Sequence, residues 1–318
     1  MKTPVVFIVF NRPDLTAKVF ERIREARPER LLVVCDGPRK EVATDLERVA
    51  AVRALIDQGV DWPCQVDRNY AESNLGCRQR VASGLNWVFS LVEEAIILED
   101  DCLPDPSFFP YCEEMLDRYR DNPEVMHING TNFVSRSCSV PTSYFFSKYV
   151  WVWGWATWRR AWEQYDYEMQ TWEAKFRAFD SMFDTARERA FWLTTFNAAR
   201  ADPRQGDTWD FAWIYSCWVR KGLAVCPQEN LVQNIGFGSD STHTTAADRR
   251  LSIPATSLRI ERHPARVSRS RSRDDLIFRF YHNGDVRRAS SPDVSLRILK
   301  ETCQRYFRRA GQATAVIP

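Results

Sequence analysis

The sequence predicts an α/β fold, a mostly parallel, twisted sheet flanked by helices, and three observations predict it. Short apolar runs alternate with amphipathic helical stretches through the first hundred residues, the order expected of a doubly wound sheet. Polar residues able to do chemistry stand at the carboxyl ends of those runs, where ligands gather on such sheets. The 318 residues are 44% hydrophobic and 27% charged, an ordinary globular balance with enough apolar content to bury a core.

Pro4 to Phe10 is a continuous apolar run and reads as the first strand. Asn11-Arg12-Pro13-Asp14 follows as a loop, then a helical pattern through Val19 and Ile23. Leu31 to Cys35 is a second strand ending in Asp36-Gly37-Pro38, and Val49 to Ile56 is again helical. Gln65 to Arg68 reads as a third strand, and Asn74-Leu75-Gly76 as the loop before a helix from about Arg78 to Val92. Ala95 to Leu98 is the fourth strand and runs straight into Glu99-Asp100-Asp101. Beyond it, Glu113 to Tyr119 looks helical, while Val125 to Gly130 and Tyr144 to Phe146 look like strands of a second half.

No apolar run approaches the roughly 18 to 20 residues a membrane helix needs. The N-terminus opens into a strand-like run rather than a signal peptide, so a cytoplasmic chain is expected. Nine cysteines are scattered singly without zinc spacing, which reads as reduced, mostly buried thiols. The net charge of +2 hides an asymmetry: from Ala246 onward 16 Lys and Arg face 7 Asp and Glu, a surplus of nine, so the remainder carries minus seven. Arg269-Ser270-Arg271-Ser272-Arg273 lacks the apolar content to pack, so part of this tail is expected to be flexible. Near its end Leu296, Leu299, Cys303, Tyr306 and Phe307 form a stripe among arginines. Such a basic amphipathic helix can dock peripherally on an anionic membrane, or pack on the body with a solvated basic face.

Three acids in succession after an apolar strand point alternately to either side of it. One can therefore hold a hard cation such as Mn²⁺ or Mg²⁺ while its neighbour holds a ligand or the fold; an acidic turn before Leu103-Pro104 is the plainer reading. Further on, "GDTWDFAW" offers Asp207 and Asp210 as a base or as helix-starting acids. Ten of the twelve tryptophans lie between Trp151 and Trp218. Trp151, Trp153, Trp155 and Trp158 alternate and then step by three, as in a strand entering a helix. Most of these rings suit a core, and one or two, Trp209 and Trp155 foremost, could meet the face of a sugar.

The succession "FNRPDL", "VVCDGP", "NLGCRQRVASGLNWVF" and "IILEDDCLPDPSFFPYCEEML" resembles the animal N-acetylglucosaminyltransferase I group and related bacterial polysaccharide glycosyltransferases. "WGWATWRRAW" and "NIGFGSDSTHT" resemble the bacterial relatives. The likeness covers roughly residues 4 to 245 and implies the GT-A nucleotide-sugar transferase fold. It further implies that Arg12 contacts the donor pyrophosphate and Asp36 the uracil ring, roles that suit a guanidinium fork and a carboxylate acceptor. Asp101 becomes the direct metal ligand, with Asp100 and Glu99 beside it near the ribose and sugar. Arg80 stands where the animal enzymes have a histidine near the nucleotide, so that match is not identity. The Trp-Asp pair Trp209-Asp210 makes Asp210 the base of an inverting transfer. His243 is a candidate for the metal or phosphates, and Gly236-Phe237-Gly238-Ser239 for a lid or a plain turn.

Residues 1–245 are then the transferase domain, about 1–110 for the nucleotide and about 111–245 for the acceptor, with 246–318 as a basic extension. A UDP-sugar donor and a glycan or lipid-linked oligosaccharide acceptor are expected, as in lipopolysaccharide or capsule assembly, and no nucleic acid. Two other classes stay open. Sugar-phosphate nucleotidyltransfer uses similar sheets but usually a Gly-rich loop after the first strand, which "FNRPDL" lacks. A non-catalytic protein would act through its basic tail on an anionic polymer or membrane.

Overall fold

The computed structural model describes residues 1–135, 141–172, 174, 180–201, 208–237 and 253–283. Its first half runs β1 (Val5–Val9), α1 (Pro13–Ala26), β2 (Arg30–Cys35), α2 (Asp45–Gly59), β3 (Gln65–Tyr70), α3 (Cys77–Leu91) and β4 (Glu94–Glu99). Next come β5 (Cys102–Pro104), α4 (Phe108–Tyr119), β6 (Val125–Asn129), β7 (Tyr144–Ser147), β8 (Trp155–Trp158) and α5 (Arg159–Trp162). The described chain closes with α6 (Ala186–Ala201), α7 (Asp210–Val219), β9 (Leu223–Pro227), β10 (Val232–Asn234) and α8 (Arg271–Asn283).

Eight strands make one sheet in the order β3-β2-β1-β4-β8-β6-β9-β7. The pairings run β3, β2, β1, β4, β6 and β9 in one direction and only β8 and β7 against it, so the sheet is mostly parallel. The first strands are buried on both faces, which is why they read as unbroken apolar runs. Val6, Ile8, Leu32, Val34 and Ile97 enter one core cluster, whereas Val5, Phe7, Leu31, Val33 and Leu98 enter the other. Helix α1 starts with Pro13 at its first position, buries Thr16, Val19, Phe20 and Ile23 as one stripe, and stops at left-handed Arg27. Helix α3 lies so close to β2 that a side chain at Gly84 would meet Val34 at 2.5 Å.

Residues 253–283 do not leave the body. Ser143 donates its backbone N–H to the Arg262 carbonyl at 2.8 Å and its Oγ accepts from the Glu261 and Arg262 N–H groups. Ser270 donates to the Phe146 carbonyl at 2.8 Å. The Arg269–Arg273 stretch, too polar by composition to pack, is instead fastened by charge: Arg269 pairs with Asp184 and, at 2.5 Å, with the fully buried Asp274. Asp274 also accepts from Ser147 Oγ at 2.6 Å, and α8 sinks Ile277 and Phe278 into the core. The proposed basic helix around Leu296 to Arg309 lies outside the described residues. The seven described cysteines are all free, five of them buried. Among the described residues no helix is long and apolar enough to cross a membrane.

Candidate active site

Strand β4 ends at Glu99, and Asp100 and Asp101 form the turn into β5. β5 pairs antiparallel with β10, and the chain after β10 folds back onto the triplet. Ile235 donates its N–H to the Asp101 carbonyl at 2.8 Å. Gly236 comes so near that a Cβ there would lie 2.3 Å from Asp101 Oδ2, so this position requires the missing side chain.

Arg12, in the β1–α1 loop, bridges the two aspartates. Its guanidinium pairs with Asp100 through two nitrogens and reaches Asp101 Oδ2 at 3.0 Å. The Phe10 backbone N–H adds a hydrogen bond to Asp100 at 3.4 Å. Burial alone would weaken the guanidinium's hold on its proton, but Asp100 and Asp101 outweigh it. Asp100, 3% exposed, is pushed above the ordinary carboxylate range by burial despite Arg12. Glu99 is pushed up to about 8, by burial first and then by Asp101 and Asp100, with a contribution from Asp210. Asp210, more than a hundred residues away in sequence, therefore lies near enough to Glu99 to act on its charge. It is the first residue of α7, where its Oδ1 accepts from the Phe211 N–H at 2.9 Å and from Thr208 Oγ1.

Asp36 and Arg80 are drawn together at the end of β2, but neither side chain stands open. Asp36 is 5% exposed and accepts from the N–H groups of Gly37 at 2.8 Å, Leu75 at 3.0 Å and Gly76 at 3.1 Å, and from Asn74 Nδ2 at 2.9 Å. Four donors fill the lone-pair positions of a carboxylate, so Asp36 clamps the loop before α3 rather than offering a free acceptor to a base. A side chain on Gly37 would strike the Ser73 backbone at 2.4 Å, which shows how tightly that loop lies. Arg80, 5% exposed, donates to the Asn69 carbonyl and side chain at 2.5 and 2.8 Å, and burial lowers its pKa against the pull of Asp36.

Trp155 and Trp209, expected to face a sugar, are 0% and 2% exposed and stack on each other at 5.6 Å. The far face of Trp155 is covered by His127 at 4.9 Å, nearly parallel. No face of Trp155 remains for a sugar, and that expectation is corrected: both rings belong to the core beneath the start of α7. His127, driven to about 3 by burial, is neutral there. Its Nδ1 accepts from Trp213 Nε1 at 3.1 Å and its Nε2 donates to the Trp151 carbonyl at 3.0 Å. The partly exposed rings nearer the triplet are Trp153 and Phe237, edge-to-face at 6.0 Å, with Phe237 directly following Gly236.

His243, Asp207 and the Gly238-Ser239 part of the expected lid lie outside the described residues. Among the described residues no three His, Cys, Asp or Glu side chains converge as a finished metal cage, and the space between Asp100 and Asp101 is bridged by Arg12. Sequence reasoning missed Asn11 and Asp45, a buried pair joined at 2.7 Å beside Arg12; an asparagine next to the loop arginine was the available signal.

No protein-family model and no curated protein matches the chain. Among solved structures it is similar to Staphylococcus aureus TarS residues 1–349, at 13% identity and TM-score 0.33, over 50% of this chain and 47% of that one. HddC from Yersinia pseudotuberculosis overlaps at 11% identity and TM-score 0.31, over 51% of this chain and 80% of that one. An apo UDP-glucose pyrophosphorylase overlaps at 9% identity and TM-score 0.31, over 51% of this chain and 79% of that one. The chain thus spans about half the length of the TarS structure it matches. Overlaps so partial leave the function to the chemistry of the site.

Proposed function

We propose that the chain is a glycosyltransferase that moves a sugar from a UDP-sugar to a hydroxyl of a glycan or lipid-linked oligosaccharide, with inversion at the transferred carbon. The observation that carries the reading is that Asp210 acts on Glu99 at the carboxyl end of β4, next to Asp100 and Asp101, which Arg12 bridges. Arg12 supplies the fork that suits a diphosphate. Burial and their neighbours hold Glu99 and Asp100 above the ordinary carboxylate range, so a bound cation would favour their ionised forms, and hard oxygen donors suit Mg²⁺ or Mn²⁺. Asp101, which Arg12 meets through one nitrogen only, would hold the cation, with Asp100 and Glu99 beside it near the donor. When bound, such an ion supplies Lewis-acid stabilisation of the charge that builds on the departing diphosphate. Asp210 takes the acceptor's proton as that oxygen attacks from the face opposite the nucleotide, and a single base with no covalent nucleophile gives inversion.

The test is release of UDP from a panel of UDP-sugars with Mn²⁺ and acceptor glycans. Asp210→Asn should lower kcat by about 10² to 10⁴ while leaving UDP affinity unchanged. Release of pyrophosphate instead of UDP would replace this reading by nucleotidyltransfer. Full activity in Asp210→Asn would remove Asp210 as the base.

A further inference from the structure

Two loops at the carboxyl edge of the sheet are tied together by one buried carboxylate. Asp45, the first residue of α2, is 1% exposed. Its oxygens accept from Asn11 Nδ2 at 2.7 Å and from Arg39 three times: Nε at 2.6 Å, Nη2 at 3.0 Å and the backbone N–H at 3.2 Å. Asn11 is itself 8% exposed and immediately precedes Arg12. Arg39 comes from the loop that leaves β2, and its guanidinium lies 5.4 Å from the Phe10 ring centroid, so it grips the β1 end a second time. The Arg39 fork, with Asn11, holds the Asp45 carboxyl down at about 2, ionised at any ordinary pH. An acid serving only to start α2 would need only the positive end of that helix. Here one donor comes from the β1–α1 loop and the other from across the loop that leads into α2.

We propose that Asp45, Asn11 and Arg39 are a positioning set that fixes the Arg12 loop for a nucleoside diphosphate. The proposal rests on Arg12 being the diphosphate contact. Arg12 stands between two aspartates that compete with a phosphate for its guanidinium. A loop free to shift lets that guanidinium settle fully onto the carboxylates, whereas a braced backbone keeps the fork where a diphosphate can share it. A misplacement of about 1 Å at such a group is enough to cost a large factor in binding or rate.

The experiment is titration of the full chain with UDP in the presence of Mg²⁺, and separately with Mn²⁺ alone, for wild type, Asp45→Asn and Arg39→Lys. Asp45→Asn keeps the volume but loses the bidentate partner of Arg39. Arg39→Lys, on a side chain 44% exposed, keeps the charge, loses the fork and carries the test should the buried variant fold poorly. Both variants should bind UDP about tenfold more weakly, with Mn²⁺ affinity at the triplet unchanged, and the double variant should be no worse than the single ones. UDP binding equal to wild type in both variants overturns the brace and leaves the donor site standing. A parallel loss of UDP and Mn²⁺ also overturns it, since that is damage to the fold. Wild type that binds no UDP overturns the donor-site reading, and the brace with it.

Discussion

Arg12→Ala removes the guanidinium that bridges Asp100 and Asp101. Breaking a buried ion pair from one side costs about 3 to 5 kcal/mol. The Arg12 and Asp101 side chains are 18% and 14% exposed, so water screens part of the bridge and the lower end, about 3 kcal/mol, applies. At about 2 °C per kcal/mol for a chain of this size, the thermal midpoint should fall by about 6 °C at neutral pH. The pH dependence has a definite sign. Asp100 already lies above the ordinary carboxylate range with Arg12 in place, and removal of the cation raises it further. A carboxyl raised in the folded state favours folding at low pH, and that benefit is lost as pH rises through the folded value. The deficit of the variant should therefore shrink toward acid, where Asp100 is neutral, and widen toward alkali. Circular dichroism melts of both proteins at about pH 5, 7 and 8.5 measure it. Equal midpoints at neutral pH, or a deficit that ignores pH, would refute the reasoning.

Two further outcomes follow from the same cluster. Glu99 sits at about 8 against an ordinary 4.5, so the wild type loses stability as pH rises between those values. Glu99→Gln, which cannot ionise, should melt higher than wild type above about pH 8 and match it near pH 5, and a gap of constant size would sink the assignment. Gly236→Ala places a methyl 2.3 Å from Asp101 Oδ2. It should weaken Mn²⁺ binding by about tenfold with little change in melting, as followed by calorimetry; unchanged metal affinity would show that the loop yields rather than Asp101.

The parallel half of the sheet was legible because β1, β2 and β4 are buried on both faces and therefore read as apolar runs, while β3 at the edge is polar. The acidic triplet was legible for the same reason, since the run that precedes it ends at Leu98. β8 was not placed: four residues at Trp155–Trp158 slot antiparallel between β4 and β6, and nothing in so short a stretch names its neighbours. The same gap misled the reading of Trp155. Alternation says that its ring leaves the strand, but only the fold brings His127 and Trp209 to its two faces. Asp36 was found in the right place with different partners, because the donors that fill it come from residues 74 to 76 of another loop. The Arg269–Arg273 segment escaped a pattern search based on apolar content, since ion pairs with Asp184 and Asp274 hold it.

β7 is the last strand of the sheet, with an outer edge whose hydrogen-bonding groups could template a second molecule. Residues 262 to 270 lie along that strand, bonded to Ser143 and Phe146. Just beyond it Lys148, 0% exposed, contacts Asp184 and Glu188, close to where Arg269 and Asp274 enter. A shortened chain ending where the charge changes sign would bare this strand and strip two members from the buried charge group at once. Its copies would be open to joining edge to edge, so any trimmed form must keep the chain through α8 if that edge is to stay covered.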